Sequence, residues 1–258
     1  GRSNNSEILH KMTEANRGKR VAKNTALLYL RMIIVMMVGL YTSRVILNVL
    51  GISDYGIYNV VGGLVGMFSI LSSAISSSIS RYLTFQIGRG DLPKLKELFS
   101  TSFIAQLGIS LLILVLIEVV GLWYLSNKMV LPNGRLDAAA FVLQCSLFSF
   151  VLGLIMTPYS AVIIAHERFS IYAYMSLLDS FMKLAVVFAL SISPFDKLKT
   201  YAFLLLTVTA IVQLVYFIYC RKQFPESHFQ LKCNLSLLKE VGSYAGWNFL
   251  GSTSWIIN

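Results

Sequence analysis

The chain has 258 residues, of which 56% are hydrophobic and 13% are charged, and its formal net charge is +10. Soluble domains carry about 25% charged residues, so this composition excludes an ordinary soluble globular protein. Apolar runs of about 20 residues recur along the chain, and a helix of that length crosses the hydrocarbon core of a membrane. Because the runs are continuous rather than alternating, we expect an all-α, polytopic transmembrane helix bundle.

The apolar runs predict six spans. They lie at about residues 25–50, 58–79, 101–125, 138–165, 170–192 and 201–220. Glycines and an aspartate predict a turn at 51–56, and a charged loop is expected at 81–100.

We therefore expect four parts: a basic tail (1–23), a six-helix transmembrane lobe (24–220), a linker (221–242) and the start of a seventh helix (243–258). Because the chain begins without Met and stops inside an apolar run, we expect it to be a piece of a longer protein, and the resemblance described below implies that a second lobe is missing.

The positions of Lys and Arg predict the orientation. If the tail and the linker are cytoplasmic, the cytoplasmic segments hold 15 Lys and Arg and the opposite loops hold four. This is a strong positive-inside bias, so we expect a cytoplasmic N-terminus, and the family resemblance described below implies a bacterial inner-membrane location. The basic pI of about 9.6 reflects this topology, and we do not expect nucleic-acid binding.

Five ionisable residues lie within the predicted spans, where each costs about 2.5–3.5 kcal/mol at mid-helix. They are Arg31, Arg44, Glu118, Asp179 and Lys183. Asn24 and Thr42 fall within about 20° of Arg31 on a helical wheel, so one face of the first span is polar. Arg31 therefore either lines a cationic cavity or extends its side chain to the inner surface, and both readings stay open. Arg44 lies near the outer interface, where extension to the surface explains it better.

Asp179 and Lys183 are four residues apart in the fifth span, so they share a helix face in the favoured order. They form either a structural ion pair or a charge pair that opens when a substrate or ion binds, and both readings stay open. The candidate substrate-binding residues are then Arg31, Asn24, Thr42, Lys183 and Asp179. Asp179 and Glu118, a lone carboxylate in the third span, are the candidates for ion coupling.

The second span carries a stripe of small residues. Its members are Gly62, Gly66, Ser69, Ser73, Ser76 and Ser80. Small residues let helices approach closely, so we interpret the stripe as helix packing, with a serine-lined cavity wall as the alternative. In the fourth span, Pro158 removes a backbone donor and is predicted to be a hinge.

Enzyme chemistry and metal binding find little support in the sequence. The three cysteines form no CxxC pair, and the three histidines lie in predicted loops or tails without metal spacing. Asp54, Asp137 and Asp196 are isolated in the predicted outer loops, so grouped acid and base residues are lacking there. We therefore expect no enzyme activity, no cofactor and no metal, and we disfavour a membrane glycan ligase or polymerase.

Residues 44–58 resemble the end of the first helix and the first outer turn of polysaccharide flippases. These are the Wzx-type oligosaccharide flippases of the MATE-like (MOP) superfamily. Leu50-Gly51 followed by Tyr55-Gly56-Ile57-Tyr58 is the clearest part of the match. Pro158-Tyr159 followed by residues 165–169 resembles the link between the fourth and fifth helices of these proteins, and Gly246-Trp247-Asn248 resembles the start of their second half.

The resemblance implies a MATE-like N-terminal lobe of six helices plus the start of a seventh, in a transporter that works by alternating access. The implied substrate is an undecaprenyl-pyrophosphate-linked oligosaccharide, a repeat unit of lipopolysaccharide O-antigen, capsule or exopolysaccharide, moved from the inner to the outer leaflet. The implied partners are this substrate, the lipid bilayer, a polysaccharide polymerase and glycosyltransferases.

Two alternatives belong to the same superfamily. They are a multidrug or organic-cation exporter and a peptidoglycan-precursor flippase. Three basic against two acidic residues within the spans argue against a cation exporter, whereas charge does not separate the two flippases.

Overall fold

The computed structural model describes residues 2–127, 129, 134–228, 234, 239 and 243. All regular structure in these ranges is helical. The helices are α1 (Arg2–Gly66), α2 (Ser69–Arg89), α3 (Leu92–Asn127), α4 (Leu136–Ala165), α5 (Phe169–Ile192), α6 (Lys197–Gln223) and a short 3-10 helix (Pro225–Ser227). The predicted all-α bundle is confirmed, while the predicted start of a seventh helix lies outside the described residues.

Five of these segments are long and apolar enough to cross a membrane. They are Asn24–Gly66, Leu92–Asn127, Leu136–Ala165, Phe169–Ile192 and Lys197–Gln223. The serine-rich α2 is not among them, because its mean hydropathy is lowered by its hydroxyl groups. The chain is thus a multi-pass membrane protein with one comparatively polar helix.

The chain reverses direction inside α1, at Gly51. This residue has φ 80° and ψ 167°, a backbone conformation that is open to glycine and costly for other residues. Before Gly51, α1 runs beside α5 in the same direction, since Arg31 contacts Ser176 and the ring of Tyr41 packs on Phe188. After Gly51, α1 runs beside α6 in the same direction as α6, since Asp54 and Asp196 share Arg135 and the ring of Tyr58 packs on Tyr201. Because α5 and α6 form a hairpin across residues 193–196, the two parts of α1 are antiparallel.

The turn predicted at 51–56 is therefore reduced to one residue. Helix resumes at residue 52, and nothing in residues 52–56 departs from helical backbone. Glycine and aspartate favour turns, but a helix that continues beyond the hydrocarbon keeps its backbone groups bonded without one.

The second predicted span, 58–79, is wrong as a single helix. The backbone breaks at Met67 and Phe68, where the amide of Phe68 bonds to the carbonyl of Val65 at 3.2 Å. The charged loop predicted at 81–100 is also wrong, because α2 continues to Arg89 and α3 begins at Leu92. Charged residues outside the hydrocarbon remain good helix formers, so their appearance does not end a helix.

The central helix of the bundle is α4, which packs against α1, α2, α3, α5 and α6. The buried ring of Tyr159 contacts Phe99, Phe103 and Phe217 at centroid distances of 5.1, 6.2 and 5.5 Å. Buried Leu143 belongs to a second core cluster further towards the start of α4. The helix continues through Pro158 without interruption, and the hinge at Pro158 stays a prediction.

One end of the bundle is held by an ion-pair cluster, and we call it the Arg135 end. Arg135 Nη2 donates to Asp54 Oδ2 at 2.7 Å, and its Nη1 donates to Asp196 Oδ2 at 2.6 Å. The sequence suggested that Asp54 and Asp196 are isolated, and this is wrong because both bind Arg135. The residues are 81 and 61 positions from Arg135, so no local pattern announces the cluster, which joins α1, α4 and the start of α6.

Asp196 also caps the N-terminus of α6. Its Oδ1 accepts hydrogen bonds from the amides of Leu198 at 3.0 Å and Lys199 at 3.3 Å. Burial opposes ionisation of this carboxyl, but the amide hydrogen bonds and the charge of Arg135 outweigh it and lower the pKa of Asp196 below its usual range.

The opposite end, which we call the His166 end, joins the linker to the bundle. His166 Nε2 bonds to Glu226 Oε1, and the imidazole stacks on Phe224 at a centroid distance of 4.5 Å. Burial of Glu226 opposes ionisation, but its bond to His166 and the charges of His166 and Lys96 lower its pKa. The first residues of the predicted linker are therefore part of the folded bundle.

Candidate substrate site

Four polar residues form one stripe along α5. They are Tyr172, Ser176, Asp179 and Lys183, and their spacing of four, three and four residues places them on one helix face. At a rise of 1.5 Å per residue the stripe is about 16 Å long, roughly half the thickness of the hydrocarbon core. This α5 polar stripe meets a different opening of the bundle at each end.

Arg31 binds the first end of the stripe through two neutral groups. Its Nε donates to Ser176 Oγ at 2.8 Å, and its Cζ lies 4.7 Å from the ring centroid of Tyr172, a cation–π distance. These contacts use one of the five guanidinium N–H donors. Among the described residues no carboxylate forms a salt bridge with Arg31. The side chain is directed to α5, which favours the cavity reading over extension to the membrane surface.

An open groove of about 760 Å³ lies beside Arg31, and we call it the Arg31 groove. It is bounded by α1, the end of α4 and the start of α5. Its lining residues are Thr25, Leu28, Tyr29, Arg31, Met32, Val35, Met36, Ile164, Phe169 and Tyr172. The groove therefore combines one cation with an almost entirely apolar wall, close to the His166 end of the bundle.

The structure does not bring Asn24 and Thr42 to this groove. Neither residue lines it, although both share a helix face with Arg31. The hydroxyl oxygen of Thr42 is buried without a hydrogen-bond partner among the described residues. Thr42 lies three helical turns beyond Arg31, where α1 packs on the far part of α5, so the predicted polar face is not one continuous surface of the groove.

Lys183 forms the other end of the stripe. Its Nζ donates to Asp179 Oδ2 at 2.7 Å, and the two side chains are 44% and 31% exposed. The predicted i, i+4 pair is thus present, and it is only half-buried. Lys183 also lines a second opening of about 450 Å³, the Lys183 cavity, which is bounded by residues 52–66 of α1 and by α4, α5 and α6.

The Lys183 cavity has a more mixed wall than the Arg31 groove. Its lining residues are Tyr58, Gly62, Val65, Gly66, Cys145, Ser146, Ser149, Phe150, Lys183, Ala202, Leu205 and Thr209. The ring of Tyr58 packs edge-on against Tyr201 at a centroid distance of 4.9 Å, which fixes residues 52–66 against α6.

Packing at Gly62 and Gly66 stays a prediction. Among the described residues, a methyl group added at either position would meet no atom of another helix within 4 Å, so no close helix contact forms there within this part of the chain. Both line the Lys183 cavity, where the missing side chains leave open space. Ser69 and Ser73 are exposed, so the small-residue stripe does not form one packed interface across the break at Met67 and Phe68.

Glu118 lies away from both openings and has an amide partner. Gln144 Nε2 of α4 donates to both carboxylate oxygens of Glu118, at 2.8 and 2.9 Å. The sequence suggested a lone carboxylate, but Glu118 has a partner, and this partner is neutral. Ion coupling at Glu118 and Asp179 stays a prediction.

The sequence did not indicate two tyrosines of the site. Tyr172 contacts Arg31, and buried Tyr216 of α6 lies near Tyr172, Arg31 and Asp179. The chain has 13 tyrosines, and residue type alone does not distinguish these two. For Tyr172, the spacing of four residues to Ser176 and eleven to Lys183 was a usable signal. Tyr216 had no such signal because its neighbours lie on other helices.

Comparisons with known proteins identify the fold. No family model and no curated protein sequence matches the chain. A solved structure of a multidrug resistance MATE family transporter of the MOP superfamily, in an outward-facing conformation, superposes with a TM-score of 0.74 at 14% identity. A MOP superfamily transporter from Pyrococcus furiosus, described as having a binding pocket of reversed polarity that suggests a different function, gives a TM-score of 0.69 at 14% identity.

Both superpositions cover 91% of this chain and 53% of the solved chain. The chain thus spans about half the length of the transporters it resembles. It has, over that half, the MATE-like fold of the MOP superfamily.

Proposed function

We propose that the chain forms one lobe of a transporter that flips an undecaprenyl-pyrophosphate-linked oligosaccharide from the inner to the outer leaflet of a bacterial inner membrane. The observation that carries the proposal is Arg31, a cation within a membrane span whose described partners, Ser176 and Tyr172, are neutral. A guanidinium in that position is costly unless a negative charge approaches it. An anionic headgroup supplies that charge, and it gains from the low dielectric around it.

The Arg31 groove supports an amphiphilic cargo in particular. The free guanidinium N–H groups suit the oxygens of a phosphate, which arginine binds in a bidentate manner. The adjoining wall of Leu28, Met32, Val35 and Ile164 suits the polyprenyl chain. One groove therefore offers complementary surfaces to both parts of a lipid-linked pyrophosphate.

An organic-cation exporter is the second candidate, supported by the fold shared with a multidrug resistance MATE transporter. The charges of the site argue against it. Asp179 is paired with Lys183 on the α5 polar stripe, whereas the partners of Arg31 among the described residues are neutral. A cationic drug would be repelled at this point. A peptidoglycan-precursor flippase has the same charge requirement as the proposed function, and the cargo glycan separates the two.

Enzyme activity gains no support from the grouping of Asp54 and Asp196. Both carboxylates bind Arg135 at one end of the bundle, and Asp196 additionally caps α6. Carboxylates engaged in this way are not available as general acid and base.

A reconstituted transport assay tests the proposal. Proteoliposomes containing the purified protein are loaded with a fluorescent undecaprenyl-pyrophosphate oligosaccharide, and its appearance in the opposite leaflet is followed by chemical quenching. A parallel set measures the movement of ethidium. We expect protein-dependent flipping of the lipid and none of ethidium. Ethidium movement without lipid flipping would favour the cation exporter and contradict the proposal.

A further inference from the structure

The Lys183 cavity differs from the Arg31 groove because its cation is already paired. Lys183 has three N–H donors, and its bond to Asp179 leaves two of them for another ligand. The positive charge is offset by the carboxylate 2.7 Å away, so the cavity attracts an anion less than the Arg31 groove does. The same pairing leaves no net negative charge to attract an organic cation.

Hydroxyl groups line the same cavity as this ammonium group. The lining side chains that carry one are Tyr58, Ser146, Ser149 and Thr209. The hydroxyls of Ser149 and Thr209 donate to the backbone carbonyls of Cys145 and Leu205, at 2.8 and 3.0 Å. Their oxygen lone pairs are thus available as acceptors. A wholly apolar ligand would remove water from these groups without replacing its hydrogen bonds, which is costly.

The remaining wall and the size of the cavity suit a sugar ring. Tyr58 and Phe150 supply aromatic surface for the C–H faces of a sugar, and the few polar groups can bind its hydroxyls. The volume of about 450 Å³ lies within the usual range of small-molecule sites, about 300–1,000 Å³. Gly62 and Gly66 leave open space along one wall, since no atom approaches within 4 Å of a methyl group placed there.

We propose that the Lys183 cavity is a binding site for a neutral sugar ring, held by the ammonium of Lys183 and the hydroxyls that line the cavity. In the proposed function this ring belongs to the glycan of the cargo, while the Arg31 groove takes the phosphates. The assignment of the sugar to the cargo rests on the proposed function, but the binding of a sugar is tested by itself.

The test uses maltose and the purified chain in lipid nanodiscs prepared without glycoside detergents. Saturation-transfer difference NMR measures the transfer of magnetisation from the protein to maltose, with empty nanodiscs subtracted. We expect a signal with the wild-type protein. The proposal would be overturned if maltose gave no signal above that of empty nanodiscs. It would also be overturned if inorganic pyrophosphate displaced bound maltose at concentrations equal to that of maltose.

Three variants locate the site. Gly62→Leu fills open space in the cavity without breaking a contact, and it should abolish the signal. Gly63→Leu is the matched control, because Gly63 is exposed, has equally open surroundings and does not line the cavity. It should leave the signal unchanged. Ser146→Ala removes one lining hydroxyl with little risk to folding, and it should weaken maltose binding about two- to tenfold. Equal signals from the two leucine variants would place maltose elsewhere and overturn the proposal.

The two proposals fail in different ways. Maltose binding without lipid flipping would remove the proposed transport function and leave the sugar site supported. Lipid flipping by a protein that gives no maltose signal would overturn the sugar site alone.

Discussion

The guanidinium of Arg31 donates through Nε to the hydroxyl of Ser176, 2.8 Å away on α5. This contact joins the first membrane-crossing helix to the α5 polar stripe across 145 residues of chain. It also fixes how the arginine is presented, because it uses the Nε donor while the ring of Tyr172 covers one face of the guanidinium.

Ser176→Ala is expected to lower transport without unfolding the protein. The loss of the bond to Nε removes a hydrogen bond from a charged donor, worth about 1.5–3 kcal/mol, and frees the guanidinium to rotate. We expect the flipping rate of the lipid-linked oligosaccharide to fall about two- to tenfold in proteoliposomes. The control is Ser180→Ala, whose hydroxyl donates to the backbone carbonyl of Ser176 at 3.1 Å and does not contact Arg31. An equal loss in both variants would argue for a general effect on α5.

The pair of Asp179 and Lys183 is expected to show strong coupling in stability. Neutralising one partner leaves the other charge within a membrane span, whereas neutralising both leaves none. The double variant Asp179→Asn with Lys183→Met should therefore have a higher thermal midpoint than either single variant. Its loss of stability should be smaller than the sum of the two single losses by a coupling energy of about 0.5–3 kcal/mol. Additive effects of the two substitutions would contradict a structural ion pair. Equal loss of transport in all three variants, at normal expression, would assign the pair a direct role in binding.

The ion pair at the Arg135 end is expected to make stability depend on acid pH. The folded-state pKa of Asp196 is lowered, so its contribution is present above the unfolded pKa of about 3.9 and is lost as the pH falls through the folded value. Thermal midpoints in detergent should thus be insensitive to this group between pH 7 and 5 and should decline below about pH 4.

Asp196→Asn isolates this effect. Asparagine is an equally good helix cap, so the start of α6 is kept while the ion pair with Arg135 is lost. Because both side chains are about one-third exposed, the cost at pH 7 should be small, about 0.2–1 kcal/mol. The variant should lose less stability than the wild type when the pH falls from 5 to 3. Identical pH profiles would show that Asp196 does not contribute to the acid sensitivity.

Gly51→Ala is expected to destabilise the reversal inside α1. A methyl group at this position would meet no atom within 4 Å, so the cost comes only from the backbone conformation at φ 80°, about 1–3 kcal/mol. Gly39→Ala is the matched control, since its surroundings are equally open and its backbone is helical. It should be neutral or stabilising, by up to about 1 kcal/mol. Thermal midpoints of the two variants check the prediction. A Gly51→Ala protein with the midpoint of the wild type would contradict it.

The sequence was informative where a property is local. Apolar run length predicted the membrane helices, and the spacing of Asp179 and Lys183 predicted their contact, because residues four apart on a helix are neighbours. Arg31 was a candidate because a charge within an apolar run is costly. These inferences need no knowledge of how the helices are arranged.

The features that the sequence did not reveal depend on long-range contacts. Ser176 and Tyr216 join the site only because α5 and α6 pack beside α1, and Arg135 meets Asp54 and Asp196 only when three helix ends come together. Gly62 looked like a packing residue because its spacing to Gly66 is typical of close helix pairs. Its role depends on what lies beside α1 at residue 62, and the structure has the Lys183 cavity there.

The most direct test of the account is the affinity of Arg31 for a lipid pyrophosphate. Binding of undecaprenyl pyrophosphate to the purified protein in nanodiscs is measured by microscale thermophoresis for the wild type, Arg31→Ala, Arg31→Lys and the exposed control Arg44→Ala. We expect Arg31→Ala to weaken binding at least about tenfold, in keeping with a charge-assisted hydrogen bond of about 1.5–3 kcal/mol. Arg31→Lys should retain part of the affinity, and Arg44→Ala all of it. Wild-type affinity in Arg31→Ala would contradict the account.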